Sequence, residues 1–411
     1  MKIWIVSDGE PLPSDNSKVR LRRMGNLANI LNQRGHEILW FSSNFDHYNK
    51  KFRSSNNDEV KKITNKYNIL LLATKGYKKN ISFQRLIHFK LIAKKFKHYS
   101  DKLSKPDIII STLAPIEVSK VVKKFSKQNG VPIIIDIRDL WPDIYYEVTP
   151  KITHIFIKLL VTKTKRDLFK ILNKDTIITG VTSKFMEYGL EIGKRNKNSS
   201  DRVFHTAYPS NHLLEAKNSF ENHWDKYNLK KDDFIVTFVG NFGKQFELDT
   251  VFKSIDKLKD RNIKFVLCGT GDNLEYYQKY TKNNENVILP GWIKKEEIGS
   301  LLTNSDIGIA TYINSKNFRL NCPNKFGEYL ASKLPILVSV DGIMNELLIE
   351  NNCGFLYENS NDLTSKIINY YSNPILLNEH KNNSYNLYKR HFDVETVYNQ
   401  FADFIEKSKM K

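Results

Sequence analysis

Short runs of aliphatic residues alternate with longer stretches in which apolar side chains recur every third or fourth position. The short runs predict buried strands, and the longer stretches predict helices, the first of them at about 18–34. In the first half, strands are predicted at 2–7, 37–43, 69–73, 108–111, 133–136, 177–180 and 203–205. In the second half, strands are predicted at 234–239, 264–268, 287–289, 307–310, 336–338 and 354–356. Such alternation is typical of parallel sheets with helices on both faces, so each half is predicted to be a doubly wound, Rossmann-like α/β domain.

The length of 411 residues suits two such domains. We expect one domain in residues 1–210, a second in 211–390 and a C-terminal helix in 391–411. We also expect the two domains to face a cleft. Ligands of open α/β sheets bind beyond the carboxyl ends of the strands, so the loops that follow the strands are the candidate functional segments.

Composition narrows the class of protein. A hydrophobic content of 40% and an aromatic content of 12% indicate a globular chain. Cys268, Cys322 and Cys353 are scattered, which gives neither a metal-ligand spacing nor a disulfide framework and favours a reducing compartment. The first apolar run is too short for a signal peptide, and no run of about 18 apolar residues is present that could span a membrane.

The net charge of +19 is concentrated in the first half of the chain. Residues 1–205 contain 39 Lys and Arg against 19 Asp and Glu, whereas residues 206–411 contain 25 against 26. This asymmetry indicates an anionic partner for the first half, either a membrane surface or nucleic acid. A general lysine bias is the alternative, but it would not spare the second half. Two basic amphipathic stretches, 83–103 and 152–173, could lie in a membrane interface or pack their apolar faces on the sheet.

The segment PNKFGEYLASKLPILVSVDG, residues 323–342, predicts a helix followed by a strand. Pro323 suits the start of the helix, and Pro335 ends it. Lys325 and Glu328 fall on the face opposite to the apolar residues, so the helix offers a cation, a carboxylate and its positive N-terminal end together. A ligand with phosphate and hydroxyl groups would fit this arrangement. A solvated polar face is the alternative.

Two glycine-rich turns follow predicted strands of the second half. GNFGK (240–244) and GTGDN (269–273) let backbone N–H groups approach a phosphate, and Lys244 adds a positive charge. Such turns can also serve only for tight packing. Arg319 and Lys325 flank the start of the predicted helix and suit phosphate recognition.

The segment IDIRDLWPD, residues 135–143, places charged side chains at the carboxyl end of a predicted strand. Asp136, Arg138 and Asp139 follow a run of aliphatic residues there. Charged residues at such a position are costly unless they are paired or used in function. They are therefore candidates for an active site, and an ion pair of Arg138 with an aspartate that fixes a loop is an equal alternative.

The order GNFGK, GTGDN, VILPGW and PNKFGEYLASKLPILVS resembles the C-terminal domain of the retaining glycosyltransferases of family 4, which have the GT-B fold. The GEPLP loop near the N-terminus and IDIRDLWPD are similar to a bacterial subgroup that builds capsule and O-antigen polysaccharides. The resemblance implies an acceptor-binding first domain and a nucleotide-sugar-binding second domain. It also implies that the C-terminal helix crosses back to the first domain.

By this resemblance, Glu328 accepts hydrogen bonds from the ribose hydroxyls, and Lys325 and Lys244 lie near the diphosphate. Trp292 falls at the position where the main chain of family members contacts the base of the nucleotide. The predicted catalytic residues are Arg138, Asp139, Lys244 and Lys325. The predicted substrate-binding residues are Gly240, Asn241, Gly243, Gly269, Gly271, Trp292, Arg319, Asn324 and Glu328. No metal ligand is predicted, because the cations supply the charge and no Asp-x-Asp motif lies near the cleft.

The chain departs from the family pattern at two places. Arg138 and Asp139 fall where many members have a histidine on the acceptor side. The family motif has two glutamates with seven residues between them, but the position eight residues before Glu328 is Leu320. The residues that contact the donor sugar therefore stay unassigned.

These features predict a retaining glycosyltransferase, a hexosyl- or N-acetylhexosaminyltransferase of EC 2.4. The donor would be a nucleoside diphosphate sugar, preferably UDP-linked, which acts as co-substrate without a further cofactor. The acceptor would be an undecaprenyl-diphosphate-linked sugar or another glycan in bacterial surface polysaccharide synthesis. The expected location is the cytoplasm, peripherally on the anionic inner face of the plasma membrane.

Two alternatives to this function stay open. The first is a UDP-sugar 2-epimerase of the same fold, which would need carboxylates and histidines for proton transfer. The second is a basic nucleic-acid-binding protein, which the pI of about 9.5 suggests. The sequence contains no recognised nucleic-acid motif, so no nucleic-acid partner is expected.

Overall fold

The computed structural model describes residues 1–15, 19–55, 57–210, 213 and 220–408. The chain divides into two compact units. Unit 1 is Met1–Phe204 with Tyr398–Lys411, and unit 2 is His205–Val397. The predicted boundary after residue 210 falls at the edge of the described residues and stays a prediction. Within the described part of the chain, none of the helices combines the length and apolar character needed to cross a membrane.

Unit 1 is built on a sheet of eight strands in the order β10-β9-β8-β7-β1-β2-β6-β5, beside a small β3–β4 pair. Its strands are β1 (Lys2–Val6), β2 (Glu37–Ser43), β3 (Phe45–Asp46), β4 (Lys51–Phe52), β5 (Glu59–Lys62), β6 (Tyr67–Leu72), β7 (Ile108–Thr112), β8 (Ile133–Ile137), β9 (Ile177–Gly180) and β10 (Arg202–Val203). The pairs from β10 to β6 are parallel, which confirms the predicted sheet. Residues such as Ile109 and Ile134 are fully buried, as expected for strands covered on both faces.

Strand β5 was not predicted, because its sequence EVKK is polar and carries no aliphatic run. It pairs antiparallel with β6 at the edge of the sheet, where one face and one side are open to water. Lys61 donates a hydrogen bond to Glu59 along this strand. Charged side chains are typical of an edge strand, because they oppose pairing with another chain.

Helices follow the strands of unit 1 on both faces of the sheet. They are α1 (Arg23–Gln33), α2 (Phe83–Ser100), α3 (Ile116–Asn129), α4 (Tyr145–Val148), a 3-10 turn at Lys151–Thr153, α5 (His154–Ile171) and α6 (Ser183–Gly193). The helix predicted to begin at Lys18 begins at Arg23, and Lys18 itself lies outside the described residues. Arg22 is in an extended conformation, so it forms the boundary of α1.

Unit 2 repeats the pattern with six described strands, all parallel, in the order β13-β12-β11-β14-β15-β16. The strands are β11 (Phe234–Val239), β12 (Ile263–Cys268), β13 (Val287–Gly291), β14 (Ile307–Ala310), β15 (Ile336–Val338) and β16 (Gly354–Leu356). The helices are α7 (Phe220–Trp224), a 3-10 turn at Asp225–Tyr227, α8 (Asp249–Lys257), α9 (Leu274–Tyr280), α10 (Lys295–Asn304), α11 (Lys316–Leu320), α12 (Asn324–Ala331), α13 (Ile343–Asn351), α14 (Ser360–Ser372), α15 (Pro374–His391) and α16 (Val394–Ser408). The second Rossmann-like sheet is therefore also confirmed.

The last helix, α16, begins in unit 2 and belongs to unit 1 from Tyr398 onwards. Within unit 1, the ring of Phe401 stacks on Phe204 with centroids 4.2 Å apart. The guanidinium of Arg34 lies 2.5 Å from the carboxylate of Asp403. The predicted return of the C-terminal helix to the first domain is confirmed by these contacts.

Candidate functional site

The turns after β11, β12 and β13 are joined by backbone hydrogen bonds. Phe242 N–H donates to the carbonyl oxygen of Thr270 at 2.9 Å. Gly269 N–H donates to the carbonyl oxygen of Gly291 at 2.8 Å. The carboxyl ends of three adjacent strands thus form one continuous glycine-rich surface, as expected at the ligand-binding edge of an open sheet.

Gly269 and Gly271 permit this close packing of the turns. Gly269 has φ of +143°, and a Cβ there would lie 1.6 Å from the carbonyl oxygen of Gly240. Gly271 has φ of +155°, and a Cβ there would lie 2.6 Å from the carbonyl carbon of Phe242. Packing alone therefore requires both glycines, so a role in ligand binding is additional to this structural role.

Helix α12 is shorter than the sequence suggests. Pro323 precedes the first helical residue, and the helix ends at Ala331 rather than at Leu334. The chain leaves the helix through Lys333, whose φ of +62° is left-handed. Phe326 is fully buried, so the apolar face was predicted correctly.

Lys325 lies in the first turn of α12 and faces the turn after β11. Its Nζ lies 5.0 Å from the ring centroid of Phe238, 5.6 Å from that of Phe246 and 5.9 Å from that of Tyr329. A Cβ at Gly240 would come within 3.0 Å of the same Nζ. The structure therefore brings the helix motif and the GNFGK turn together.

Burial lowers the pKa of Lys325 to about 8, although the nearby carboxylate of Glu328 acts in the opposite direction. The aromatic rings stabilise the ammonium through cation–π contacts. An anionic ligand beside Gly240 would stabilise the charged form further. The surroundings of Lys325 thus favour the arrival of a phosphate.

Glu328 lies one turn after Lys325 on α12 and is half-buried. Its carboxylate accepts a hydrogen bond from the hydroxyl of Tyr208. Tyr208 is held in turn by its own backbone, because its N–H donates to the carbonyl oxygen of Phe392 at 2.8 Å and its carbonyl oxygen accepts from the Tyr388 hydroxyl at 2.8 Å. The sequence contains no signal for Tyr208, which precedes Glu328 by 120 positions.

The other predicted donor-site residues lie at the surface of unit 2. Asn241 and Lys244 are exposed on the turn that also contains Gly243, and Trp292 is 78% exposed just after β13. Asn324, the first residue of α12, and Arg319 on α11 are exposed as well. The structure shows where these five residues lie, and their roles in binding stay predictions.

In unit 1, the charged residues at the carboxyl end of β8 are mostly engaged in ion pairs. Asp136 is fully buried and accepts two hydrogen bonds from the guanidinium of Arg23, both at 2.8 Å. The hydroxyl of Thr179 donates to the same carboxylate at 2.8 Å. Arg23 also donates to the carbonyl oxygen of Phe204 at 2.7 Å. Asp136 therefore fixes α1 against the sheet.

Arg138 donates a hydrogen bond to Glu10 in the GEPLP loop. Glu10 is buried and also accepts from the N–H of Met24 at 3.0 Å, at the start of α1. The pair with Glu10 is the loop-fixing alternative for Arg138, with a glutamate in place of the expected aspartate. Asp139 is exposed next to it. The predicted catalytic roles of Arg138 and Asp139 stay predictions.

Arg138 and Asp139 line a cavity of about 360 Å³ in unit 1. The first strand contributes Asp8 at its carboxyl end, and α2 contributes Arg85. His47, also in the wall, was missed by the sequence reasoning, because it lies in a loop that matches none of the motifs.

Several groups in the wall of this cavity have shifted pKa values, and Asp8 and His47 are two of them. Burial would raise the pKa of Asp8, but hydrogen bonds from His88 and Ser43 outweigh it and lower the pKa to about 2. Burial and the nearby charges of Lys50 and Arg85 lower the pKa of His47 to about 4. The cavity thus presents a charged carboxylate and a neutral imidazole at neutral pH.

Among the described residues, no group of three or more His, Cys, Asp and Glu side chains is placed to hold a metal ion. The positive charge near the glycine turns of unit 2 comes from lysine and arginine side chains. Lys325 is the most enclosed of these side chains. Lys325 can interact with a diphosphate there, as can turn N–H groups other than those of Gly240, Phe242 and Gly269, which already donate to carbonyl oxygens.

Comparison with known proteins places a family domain in unit 2. Residues 219–387 match the family model of the Glycosyl transferases group 1. Chitobiosyldiphosphodolichol beta-mannosyltransferase from Dictyostelium discoideum is 28% identical over 116 residues, which is 28% of this chain and 23% of that protein. The chain spans less than half the length of the curated relatives it matches.

Solved structures match both units. Sucrose-phosphate synthase from Thermosynechococcus elongatus matches with a TM-score of 0.69 at 15% identity, over 99% of this chain and 98% of that chain. HepE from Anabaena, in complex with UDP, matches with a TM-score of 0.64 at 13% identity, over 99% and 100%. The chain therefore has the GT-B fold, and residues 219–387 form a glycosyltransferase group 1 domain, which is a transferase domain of EC 2.4.

Proposed function

We propose that the whole chain is a retaining glycosyltransferase that takes its sugar from a nucleoside diphosphate sugar. The observation that carries the proposal is the placement of Lys325 beside Gly240, one helical turn from the carboxylate of Glu328. A cation beside a glycine turn suits a diphosphate, and a nearby carboxylate suits the ribose hydroxyls. HepE, which has a similar fold, was solved with UDP, and this supports a UDP-linked donor.

In this proposal, unit 2 stabilises the leaving group. Negative charge builds up on the diphosphate as the bond between the sugar and the β-phosphate breaks. Lys325 and the turn N–H groups would interact with that charge more strongly in the transition state than in the ground state, which lowers the barrier. Lys244 and Arg319 would add further positive charge from exposed positions. Trp292 would lie beside the base.

Unit 1 would bind the acceptor in its cavity of about 360 Å³. We infer a lipid-linked acceptor, because the cavity wall combines cations such as Arg85 with aromatic and aliphatic side chains. The relative from Dictyostelium discoideum is named for a diphosphodolichol acceptor, which supports this class. An undecaprenyl-diphosphate sugar in bacterial surface polysaccharide synthesis is the acceptor that we propose, at the inner face of the plasma membrane.

The test is a transfer assay with the purified full-length chain, a panel of UDP- and GDP-sugars and a membrane lipid extract. We expect one donor to be consumed with transfer of its sugar to the lipid fraction. A donor that is isomerised in the absence of an acceptor would instead establish the 2-epimerase alternative. If no sugar nucleotide binds, as followed by calorimetry, the proposal is wrong.

A further inference from the structure

Helix α5 has two separate apolar faces. Val161, Leu168 and Ile171 are buried against unit 1. A second set of apolar side chains is exposed on the first half of the helix and the turn before it: Ile152 (87%), Ile155 (71%), Phe156 (74%) and Leu159 (73%). We call this set the α5 apolar face. An amphipathic helix needs only one apolar face to pack, so the second face requires another explanation.

The α5 apolar face continues into a basic surface. At about 100° per residue, Lys163, Arg166 and Lys170 lie in the same angular range as the apolar set, further along the helix, and all three are exposed. Residues 151–171 contain six Lys and Arg and a single acidic residue, Asp167. Exposed apolar side chains with neighbouring cations are typical of a helix that lies at the surface of an anionic bilayer.

The same helix also forms part of the cavity wall in unit 1. Leu160, Thr164 and Asp167 line the cavity, and Leu160 is one turn after Phe156. The α5 apolar face therefore adjoins the cavity along the helix.

Helix α2 shows a similar arrangement on another part of the wall. Leu86 and Phe89 line the cavity, and the exposed Phe83 lies three residues before Leu86. Residues 78–100 contain seven Lys and Arg and no Asp or Glu. Both helices thus combine an apolar exposed end, a basic surface and a share of the cavity wall.

We propose that the α5 apolar face docks on an anionic lipid bilayer and brings the unit 1 cavity to the membrane surface. Ile155, Phe156 and Leu159 enter the acyl boundary, and the basic residues contact the headgroups. An amphiphilic acceptor then passes from the bilayer into the cavity along the turn that joins Phe156 to Leu160. The docking proposal is based on the exposed α5 apolar face and the neighbouring positive charge. Only the passage of the acceptor rests on the function proposed above.

The test compares vesicle binding of the full-length chain with that of the variant Ile155→Ser/Phe156→Ser/Leu159→Ser. Vesicles of phosphatidylcholine with phosphatidylglycerol are separated by flotation. We expect the variant to lose about tenfold or more in its partition coefficient, because three apolar side chains no longer enter the bilayer. Wild-type protein should bind pure phosphatidylcholine vesicles much more weakly, because the basic residues find no anionic headgroups.

The matched control is Ile349→Ser/Ile375→Ser, which removes two exposed apolar side chains of unit 2 (64% and 82% exposed). We expect this control to bind vesicles like the wild type. The proposal is overturned if the α5 variant binds as the wild type does, or if the control loses as much. It is also overturned if the wild type is a dimer that the α5 substitutions dissociate, because the face would then contact a second copy.

Binding of UDP-sugar is measured on the same samples by calorimetry. The α5 variant should bind the donor like the wild type, since its changes lie in unit 1 and on the surface. Loss of vesicle binding with intact donor binding supports the docking proposal. Donor binding without any vesicle binding by the wild type would refute docking and leave the proposed function standing. Vesicle binding without donor binding would support docking and refute the proposed function.

Discussion

Charged side chains at the carboxyl end of β8 in unit 1 and on α12 in unit 2 lie in contrasting surroundings. Asp136 is paired with Arg23 in the interior, and Arg138 is paired with the buried Glu10. Lys325, by contrast, faces aromatic rings and the glycine turn at Gly240. The first set holds segments of unit 1 together, whereas Lys325 is placed where an incoming anion can reach it. Charge at the end of a strand is therefore not by itself a sign of catalysis.

The largest expected effect is a loss of stability when the ion pair of Arg23 and Asp136 in unit 1 is broken. Arg23→Met leaves the fully buried Asp136 carboxylate without its cation, so the free energy of unfolding should fall by about 3–5 kcal/mol. Urea denaturation followed by circular dichroism measures this change. The control is Arg34→Met, whose pair with Asp403 is partly exposed and should be worth about 0–1 kcal/mol. Equal losses in the two variants would show that Asp136 does not need its partner.

The next effect concerns the packing of the glycine turns in unit 2. Gly269→Ala places a Cβ against the carbonyl of Gly240, so we expect a loss of at least about 1–3 kcal/mol in stability and weakened binding of UDP. The matched control is Gly130→Ala, which also has a positive φ but no atom within 4 Å of the new Cβ. It should cost about 1–2 kcal/mol and leave UDP binding unchanged. Normal UDP binding by a folded Gly269→Ala variant would separate the turns from the donor site.

A smaller expected effect is the dependence of UDP affinity on pH, which tests the surroundings of Lys325. The folded pKa of Lys325 is lowered to about 8, so its charge is present below that pH and is lost above it. UDP affinity should therefore fall by up to about tenfold per pH unit as the pH rises above 8, until the pKa of the complex is reached. The control Lys325→Arg keeps its charge and should show a flatter profile in calorimetry. An identical slope in both proteins would assign the effect to another group.

The lowered pKa of Lys325 also affects stability, which should rise with pH where UDP affinity falls. The unfolded chain has an ordinary lysine, which keeps its proton up to about pH 10.4. Between about 8 and that value the unfolded state binds more protons than the folded state, so this lysine makes the protein more stable as the pH rises. The difference in the free energy of unfolding between wild type and Lys325→Met should therefore change with pH across this range and stay constant below about pH 8, as measured by urea denaturation at a series of pH values.

The sequence was informative where a single segment determines the structure. Both parallel sheets follow from local aliphatic runs, and the faces of α12 follow from helical periodicity. Pairings between distant positions could not be predicted. Arg23 and Asp136 are separated by 113 positions, and a one-dimensional pattern does not specify which of many charges will meet. Nor did the pattern reveal β5, whose polar sequence forms a strand in its pairing with β6.

In the candidate site, too, features within one segment could be predicted and contacts between distant residues could not. Lys325 and Glu328 were found, because a helix places residues three apart side by side. Tyr208 was missed, because its contact with Glu328 depends on how the first residues of unit 2 pack against α12. The α5 apolar face was visible only as a basic amphipathic stretch. The structure separates its buried residues, such as Leu168, from its exposed ones.

The most direct measurement is the affinity of the purified chain for UDP before and after Glu328→Ala. The control is Glu346→Ala, which removes an exposed carboxylate from the first turn of α13. If Glu328 accepts hydrogen bonds from the ribose, its loss should cost about 1.5–3 kcal/mol per bond, which is about 10- to 150-fold in Kd. The control should bind UDP as the wild type does. Unchanged affinity in a folded Glu328→Ala variant would contradict the assignment of the donor site to α12.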